Sequence, residues 1–202
     1  MGVYLYTNEP YIPTANTIAY FPFIDNQVDL LSNYSLNTTW TQQTLWFSIP
    51  KGTKFIYSKP KENERFYWFW VKPNSSTSGA LWQTNLGGLR FNWNVNNIKE
   101  FTMKDSWGTF HGGSISWTWT TDVRYYIAYT IDTSNNYKWW VNAVQKWSGT
   151  YAPNLGYTES WLYTDNNGSA TTFSDFIIER TAWTADQVTA YFNKTKSRYW
   201  IS

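Results

Sequence analysis

Between Phe173 and Phe192 the chain changes its period, and that change constrains the fold more than any other feature. Phe173-Ser174-Asp175-Phe176-Ile177-Ile178-Glu179-Arg180 alternates as a strand does. Thr181-Ala182-Trp183 then reads as a turn. Thr184 with Gln187 three residues later spells a capping box, in which each side chain satisfies a backbone N–H of a helix start. Val188, Tyr191 and Phe192 follow as one apolar stripe at helical spacing. Upstream, every apolar segment reads as a short strand. The expectation is an all-β chain closed by one short helix.

The 202 residues suit one large β-domain. Aromatic residues make up 21% of the chain, enough for a large core, because each buries roughly 150–250 Å². A net charge of +2 gives no electrostatic footprint for nucleic acid or an anionic membrane surface. The densest basic stretch, Lys194-Thr195-Lys196-Ser197-Arg198, reads as cations at a helix C-terminus, favoured by the dipole. Cys is absent, which excludes disulfides and thiolate metal sites. Met1 to Tyr6 lacks a basic region and a long apolar run, so it does not read as an export signal. No apolar stretch approaches the ~20 residues that cross a bilayer as a helix.

Residues 1–16, with Pro10 and Pro13, read as an extended arm before a domain spanning 17–202. Ile18 to Phe23, Leu45 to Phe47 and Phe55 to Tyr57 are candidate strands. Arg65 to Val71 is the strongest, apolar on both faces and hence a central strand. Gly87 to Val95 and Ile98 to Met103 pair across an Asn96-Asn97 turn. Ile115 to Trp119, Tyr125 to Ile131, Tyr137 to Val141, Glu159 to Tyr163 and Phe173 to Arg180 follow, with Asp132 to Asn136 as a hairpin loop. Many short strands at this spacing give a sandwich or barrel.

Four segments carry a resemblance. Thr17 to Phe23 with the Asp- and Asn-rich turn from Asp25 to Asn33 is similar to an opening strand. Arg65 to Pro73 is similar to an aromatic central strand ending in Trp, one residue, then Lys-Pro. Tyr137 to Val144 is similar to a hairpin, with Asn142-Ala143 where Asn-Gly is usual. Asp175 to Val188 is similar to a closing strand, turn and helix, and is the most specific of the four. Together they resemble the concanavalin A-like lectin/glucanase superfamily, in its laminin-G-like jelly-roll modules. The resemblance implies a two-sheet antiparallel jelly-roll sandwich with one short C-terminal helix, and recognition of glycans or proteins. Hydrolases of that superfamily carry Glu, one residue, Asp, then Glu two or three places on; that spacing is absent here.

The remaining constellations favour binding over catalysis. Glu62 and Glu64 stand about 7 Å apart if extended, within glycosidase range, but read as a solvated approach to the central strand. Asp175 and Glu179 share a face by parity, and the resemblance implies that such residues cap or pair locally. His111 is the single His, and Gly112-Gly113 beside it reads as a flexible loop rather than a catalytic setting. Asp25 and Asp29 are weak candidate Ca²⁺ ligands, with an Asx-turn network as the plainer reading; no cofactor is expected. Five Asn-x-Ser/Thr sequons, at Asn33, Asn37, Asn74, Asn167 and Asn193, match chance in so Asn- and Thr-rich a chain.

Fifteen Trp exceed what packing usually requires. Flat aromatic faces with nearby amides suit a pyranose, and Trp82, Asn92, Asn94, Trp107 and His111 fall in one stretch of loops and outward strand positions. The same Trp residues also suit a subunit interface. The expected function is therefore a non-catalytic attachment module, not an enzyme, outside cells or on a virion surface. A virus particle of a prokaryote fits a lectin-like domain without an export signal. Its partner would be a surface glycan or another virion or surface protein, in a homo-oligomer or larger assembly. A structural decoration or fibre subunit is the alternative, and a secreted glycan hydrolase the weaker one.

Overall fold

A computed structural model describes residues 14–21, 42–43, 46–49, 54–58, 65–73, 82–84, 90–93, 99–104, 109–115, 120, 122–152, 159–163 and 171–199. Among these residues the chain is built from fourteen strands, one α-helix and one 3-10 turn. The expected all-β antiparallel class with one short closing helix is found among these residues, and the strands of a two-sheet jelly roll fall here into one eight-stranded and two three-stranded sheets. All strand pairs described are antiparallel.

The largest sheet holds β1 (Thr17–Phe21), β2 (Gln42–Gln43), β3 (Trp46–Ile49), β5 (Phe66–Pro73), β10 (Tyr125–Ile131), β11 (Asn136–Val141), β12 (Val144–Thr150) and β14 (Thr171–Glu179). Its order is β12-β11-β10-β5-β14-β3-β2. The start of β14 pairs with β3 and its end with β1, so two short strands share one edge of the closing strand. A second sheet runs β4 (Lys54–Ser58), β13 (Glu159–Tyr163), β6 (Trp82–Thr84). A third runs β7 (Arg90–Trp93), β8 (Lys99–Lys104), β9 (Phe110–Ile115).

The central strand is β5, between β10 and β14, and all of Phe66 to Val71 is buried. Phe66, Trp68 and Trp70 face one way, into a cluster with Tyr20, Tyr126, Ala128, Trp140 and Ile177. The helix α1 (Ala185–Thr195) covers that face with Val188 and Tyr191, assisted by Tyr199 of the 3-10 turn Lys196–Tyr199. Tyr67 and Phe69 point the other way, against Tyr129 in the first case and Phe173 and Phe176 in the second. Burial on both faces is why this strand is apolar throughout.

Local chemistry sets the turns. The Thr184–Gln187 capping box forms in both directions. Asp132 organises the β10–β11 hairpin: its Oδ1 accepts from Ser134 N at 2.8 Å and Asn136 N at 2.9 Å. Asn142 and Ala143 join β11 to β12 with φ of 49° and 62°. Both signs match the type I′ hairpin turn. Asn142 also docks the turn, accepting from Tyr126 N at 2.9 Å through Oδ1.

Four strands lie where the sequence reading places none or only an end: β2, β6, β9 and β12. The segment around His111 is not a loop. Gly112 and Gly113 pair with Thr102 and Phe101, so the glycines sit in a ladder between β8 and β9. The strand ends at Ile115, and 116–119 lie outside the described residues. Most of the proposed arm also lies outside them. Its end, Thr14 to Asn16, turns: Thr17 N donates to Thr14 O at 3.0 Å and Thr14 N to Thr17 Oγ1 at 2.8 Å.

Candidate functional site

Three members of the expected aromatic and amide cluster, Trp82, Asn92 and His111, lie in described strands, in two of the sheets. Trp82 opens β6 and pairs with Leu162 of β13. Asn92 lies in β7 opposite Glu100, and His111 in β9 opposite Met103, on different rows of the third sheet. Asn94, Trp107, Asp25, Asp29, Glu62 and Glu64 lie outside the described residues. Among the described residues, no group of three or more His, Cys, Asp or Glu is placed to hold a metal ion. No described helix is long and apolar enough to cross a membrane.

Part of the Trp excess goes into the core. Trp68, Trp70, Trp139 and Trp140 are buried, and Trp147 and Trp183 are half-buried. The four buried ones answer to packing in the large sheet. Sequence composition could not separate this use from a surface one, since an indole suits both.

The two carboxylates of the closing strand are set apart by a β-bulge. The register of β14 against β5 shifts between Ser174 and Phe176, with Asp175 as the extra residue at φ 41°. The bulge lets Phe173 and Phe176 both pack on Phe69 although they are three residues apart. Asp175 is fully buried; it accepts a hydrogen bond from the Tyr199 hydroxyl and lies 3.9 Å from Arg198 Nη1. Part of the basic C-terminal stretch thus serves as a counter-charge to the sheet. Thr195 is buried as well, and Lys196 sits over the Phe192 ring at 6.0 Å.

Glu179, four residues on, has separate partners about 13 Å further along the strand. Its Oε1 accepts from Thr17 Oγ1 at 3.2 Å and its Oε2 from Trp183 Nε1 at 3.0 Å. Each carboxylate is thus held in its own structural setting by its own partners.

Glu179 is also part of the wall of a cleft of about 410 Å³. The N-terminal turn contributes Thr14 and Asn16, the closing turn Thr181 and Trp183, and the helix Gln187, Ala190, Tyr191 and Lys194. Trp183 is positioned by Phe66, on which it stacks at 4.3 Å and 12° between planes. Gln187 is positioned by the capping box, its Oε1 accepting from Thr184 N at 2.8 Å. Tyr191 has its phenol pushed well above the usual 10.0, first by burial and then by the charge of Asp175, so it stays neutral. The sequence signals for this cleft were the closing turn and helix, which were read as fold elements only.

A second concavity of about 330 Å³ lies at the β10–β11 hairpin, with Asp132, Asn136, Lys138 and Thr150 on its walls. Its polar groups satisfy one another: Thr150 Oγ1 donates to Asn136 Oδ1 at 2.9 Å, and Asn136 Nδ2 to Asp132 Oδ2 at 2.9 Å. It is a turn network.

No protein-family model matches the chain. No curated protein matches it either. Solved structures do. The chain is similar to the binding domain of botulinum neurotoxin serotype D, with a TM-score of 0.73 at 14% identity, over 88% of this chain and 51% of that one. It is similar to the binding domain of Paraclostridial Mosquitocidal Protein 1, with a TM-score of 0.71 at 13% identity, over 88% of this chain and 52% of that one. It is similar to the botulinum neurotoxin type G receptor-binding domain, with a TM-score of 0.70 at 13% identity, over 89% of this chain and 51% of that one. The chain spans about half the length of these domains, and at such identity the likeness is one of fold.

Proposed function

We propose that this chain is a non-catalytic recognition module that works outside cells and attaches a larger assembly to a surface glycan or a surface protein. One observation carries the reading: its fold is shared over 88% of its length with domains described as binding domains of toxins. The structural partners of Asp175 and of Glu179 support it, since each carboxylate is engaged in holding the fold. The concanavalin A-like and laminin-G-like assignment belongs to the same reading, resting on the four sequence segments and the jelly-roll architecture.

The test is binding of the labelled chain to a glycan array and to a panel of intact bacterial cells. Saturable binding without release of reducing sugar supports the module. Absence of binding on both, or sugar release lost in an Asp or Glu variant, overturns it. The Trp82, Asn92, Asn94, Trp107 and His111 surface is tested beside it by sedimentation. Trp82→Ala or Trp107→Ala should abolish binding and leave oligomer size unchanged. If these changes release monomers and leave binding intact, the structural decoration reading takes its place. The carrier in this proposal is a virus particle of a prokaryote. Immunogold labelling of purified particles by an antibody to this chain supports that placement, and labelling confined to a free secreted protein overturns it.

A further inference from the structure

We infer that the cleft between the N-terminal turn and helix α1 is a site for one uncharged pyranose unit. The inference rests on the recognition reading above and supplies it with a site and a ligand class. It starts from volume: about 410 Å³ lies within the range of small-ligand pockets.

The wall chemistry selects the class. Trp183 presents an indole whose position is fixed by Phe66 beneath it. Such a surface suits the apolar C–H face of a sugar ring. Glu179 presents a carboxylate whose two oxygens are each anchored by a donor, Thr17 and Trp183. It is 3% exposed, so it sets the charge of this wall from behind the surface. The capping box holds Oε1 of Gln187 and directs no bond to its Nε2, which remains a donor at the cleft. Asn16 and Thr14 add groups that both donate and accept.

Charge decides between ligand classes. The walls carry one anion, Glu179, and one cation, Lys194, which makes no ion pair among the described residues. Their sum is zero, so the cleft favours neither an anionic nor a cationic ligand. Neutral hydroxyl groups match it, because each can donate to the exposed oxygens of Asn16 and Thr14 and accept from the amide and ammonium side. Thr14, Asn16, Gln187, Ala190 and Lys194 are all exposed, so the walls are reachable from solvent.

The experiment follows the Trp183 indole N–H by NMR in the ¹⁵N-labelled full chain, with the peak assigned through Trp183→Phe. The probes are the methyl glycosides of glucose, galactose, mannose and N-acetylglucosamine, with glucuronic acid and glucosamine as charged counterparts. At least one neutral glycoside should shift the Trp183 peak saturably. Asn16→Ala with Lys194→Ala should weaken that binding about tenfold, as expected for lost polar contacts. Ala190→Phe, at an exposed helix position facing the cleft, should abolish the shift and leave the melting temperature unchanged. A Trp183 peak unmoved by all neutral probes overturns the inference, as does tighter binding of a charged counterpart than of its neutral parent. Array or cell binding retained in Ala190→Phe, with no Trp183 shift in the wild type, sinks the site and leaves the recognition module standing. Loss of array and cell binding in the wild type itself removes both.

Discussion

The Tyr199 hydroxyl donates to the Asp175 carboxylate, joining the 3-10 turn at the end of the described chain to the bulge of its closing strand. Tyr199 also stacks near Trp70 at 4.6 Å, and its carbonyl accepts from Arg124 Nη1 at 3.1 Å. One residue thereby ties the helix segment to β5, to β14 and to the start of β10. Helix α1 itself docks through the apolar Val188 and Tyr191, and Tyr199 with Arg198 adds a polar tie just beyond its end.

Asp175→Asn tests the charge in that tie. Asn tolerates the φ of 41° as well as Asp does, so the change removes charge without adding backbone strain. Arg198 then loses the charge that lies 3.9 Å from its Nη1. The expected loss of stability is about 3 kcal/mol, read as a lower midpoint in urea unfolding with an unchanged slope. An unchanged midpoint would show that the charge does not hold the helix segment.

Tyr126→Phe should act the other way. The Tyr126 hydroxyl is buried with no hydrogen-bond partner among the described residues, and burial raises its pKa well above 10.0. Removing an unsatisfied buried hydroxyl while keeping the ring on Trp68 and Trp70 should stabilise by about 1 kcal/mol. Trp70→Ala is the contrasting control, with an expected loss of about 3–5 kcal/mol from the emptied core. Differential scanning calorimetry of both variants checks the pair, and a lower melting temperature for Tyr126→Phe refutes the first.

Gly149 stands where β12 crosses the Tyr137 ring. A Cβ at this position would lie 2.7 Å from Tyr137 Oη and 2.8 Å from two of its ring carbons. Tyr137 has little room to yield: it packs on Tyr129 and Tyr151, and its hydroxyl accepts from Trp147 Nε1 at 3.0 Å. Gly149→Ala should therefore cost about 1–3 kcal/mol. Its chemical-shift changes should centre on Tyr137 and Trp147; changes confined to residue 149 would contradict the contact.

Asp132 gives a pH signature. Hydrogen bonds from the Asn136 side chain and backbone hold its carboxyl below the usual 3.8. A depressed folded pKa stabilises the hairpin fully above the unfolded value and loses that contribution as pH falls through the folded one. The hairpin contribution should thus be constant from neutral pH to about pH 5 and fade below about pH 4. Carboxyl NMR should place the Asp132 midpoint below 3.8. A midpoint at or above that value would remove the network from the account.

The sequence by itself determined what neighbouring residues settle among themselves. The capping box at Thr184 and Gln187, the Asp132 hairpin and the helix stripe of Val188, Tyr191 and Phe192 each need partners only a few positions away. The double-sided apolar pattern of Phe66 to Val71 likewise announced a strand buried on both faces, because no other setting hides six such side chains. Tertiary structure decided what depends on partners distant in the chain. The strand signal from Phe173 to Arg180 does not itself place the bulge at Asp175, which answers to Tyr199 and Arg198 more than twenty residues later. Gly112-Gly113 looked like a loop because an isolated glycine pair lacks strand propensity, yet β8 supplies the ladder that holds it. The Trp excess could serve core or surface with equal chemistry, and only the arrival of β10, β14 and α1 around Trp68 and Trp70 assigned those two to the core. The cleft at Trp183 is of the same kind: Asn16 and Lys194 meet there because β1 pairs with the end of β14, a contact between the two ends of the described chain.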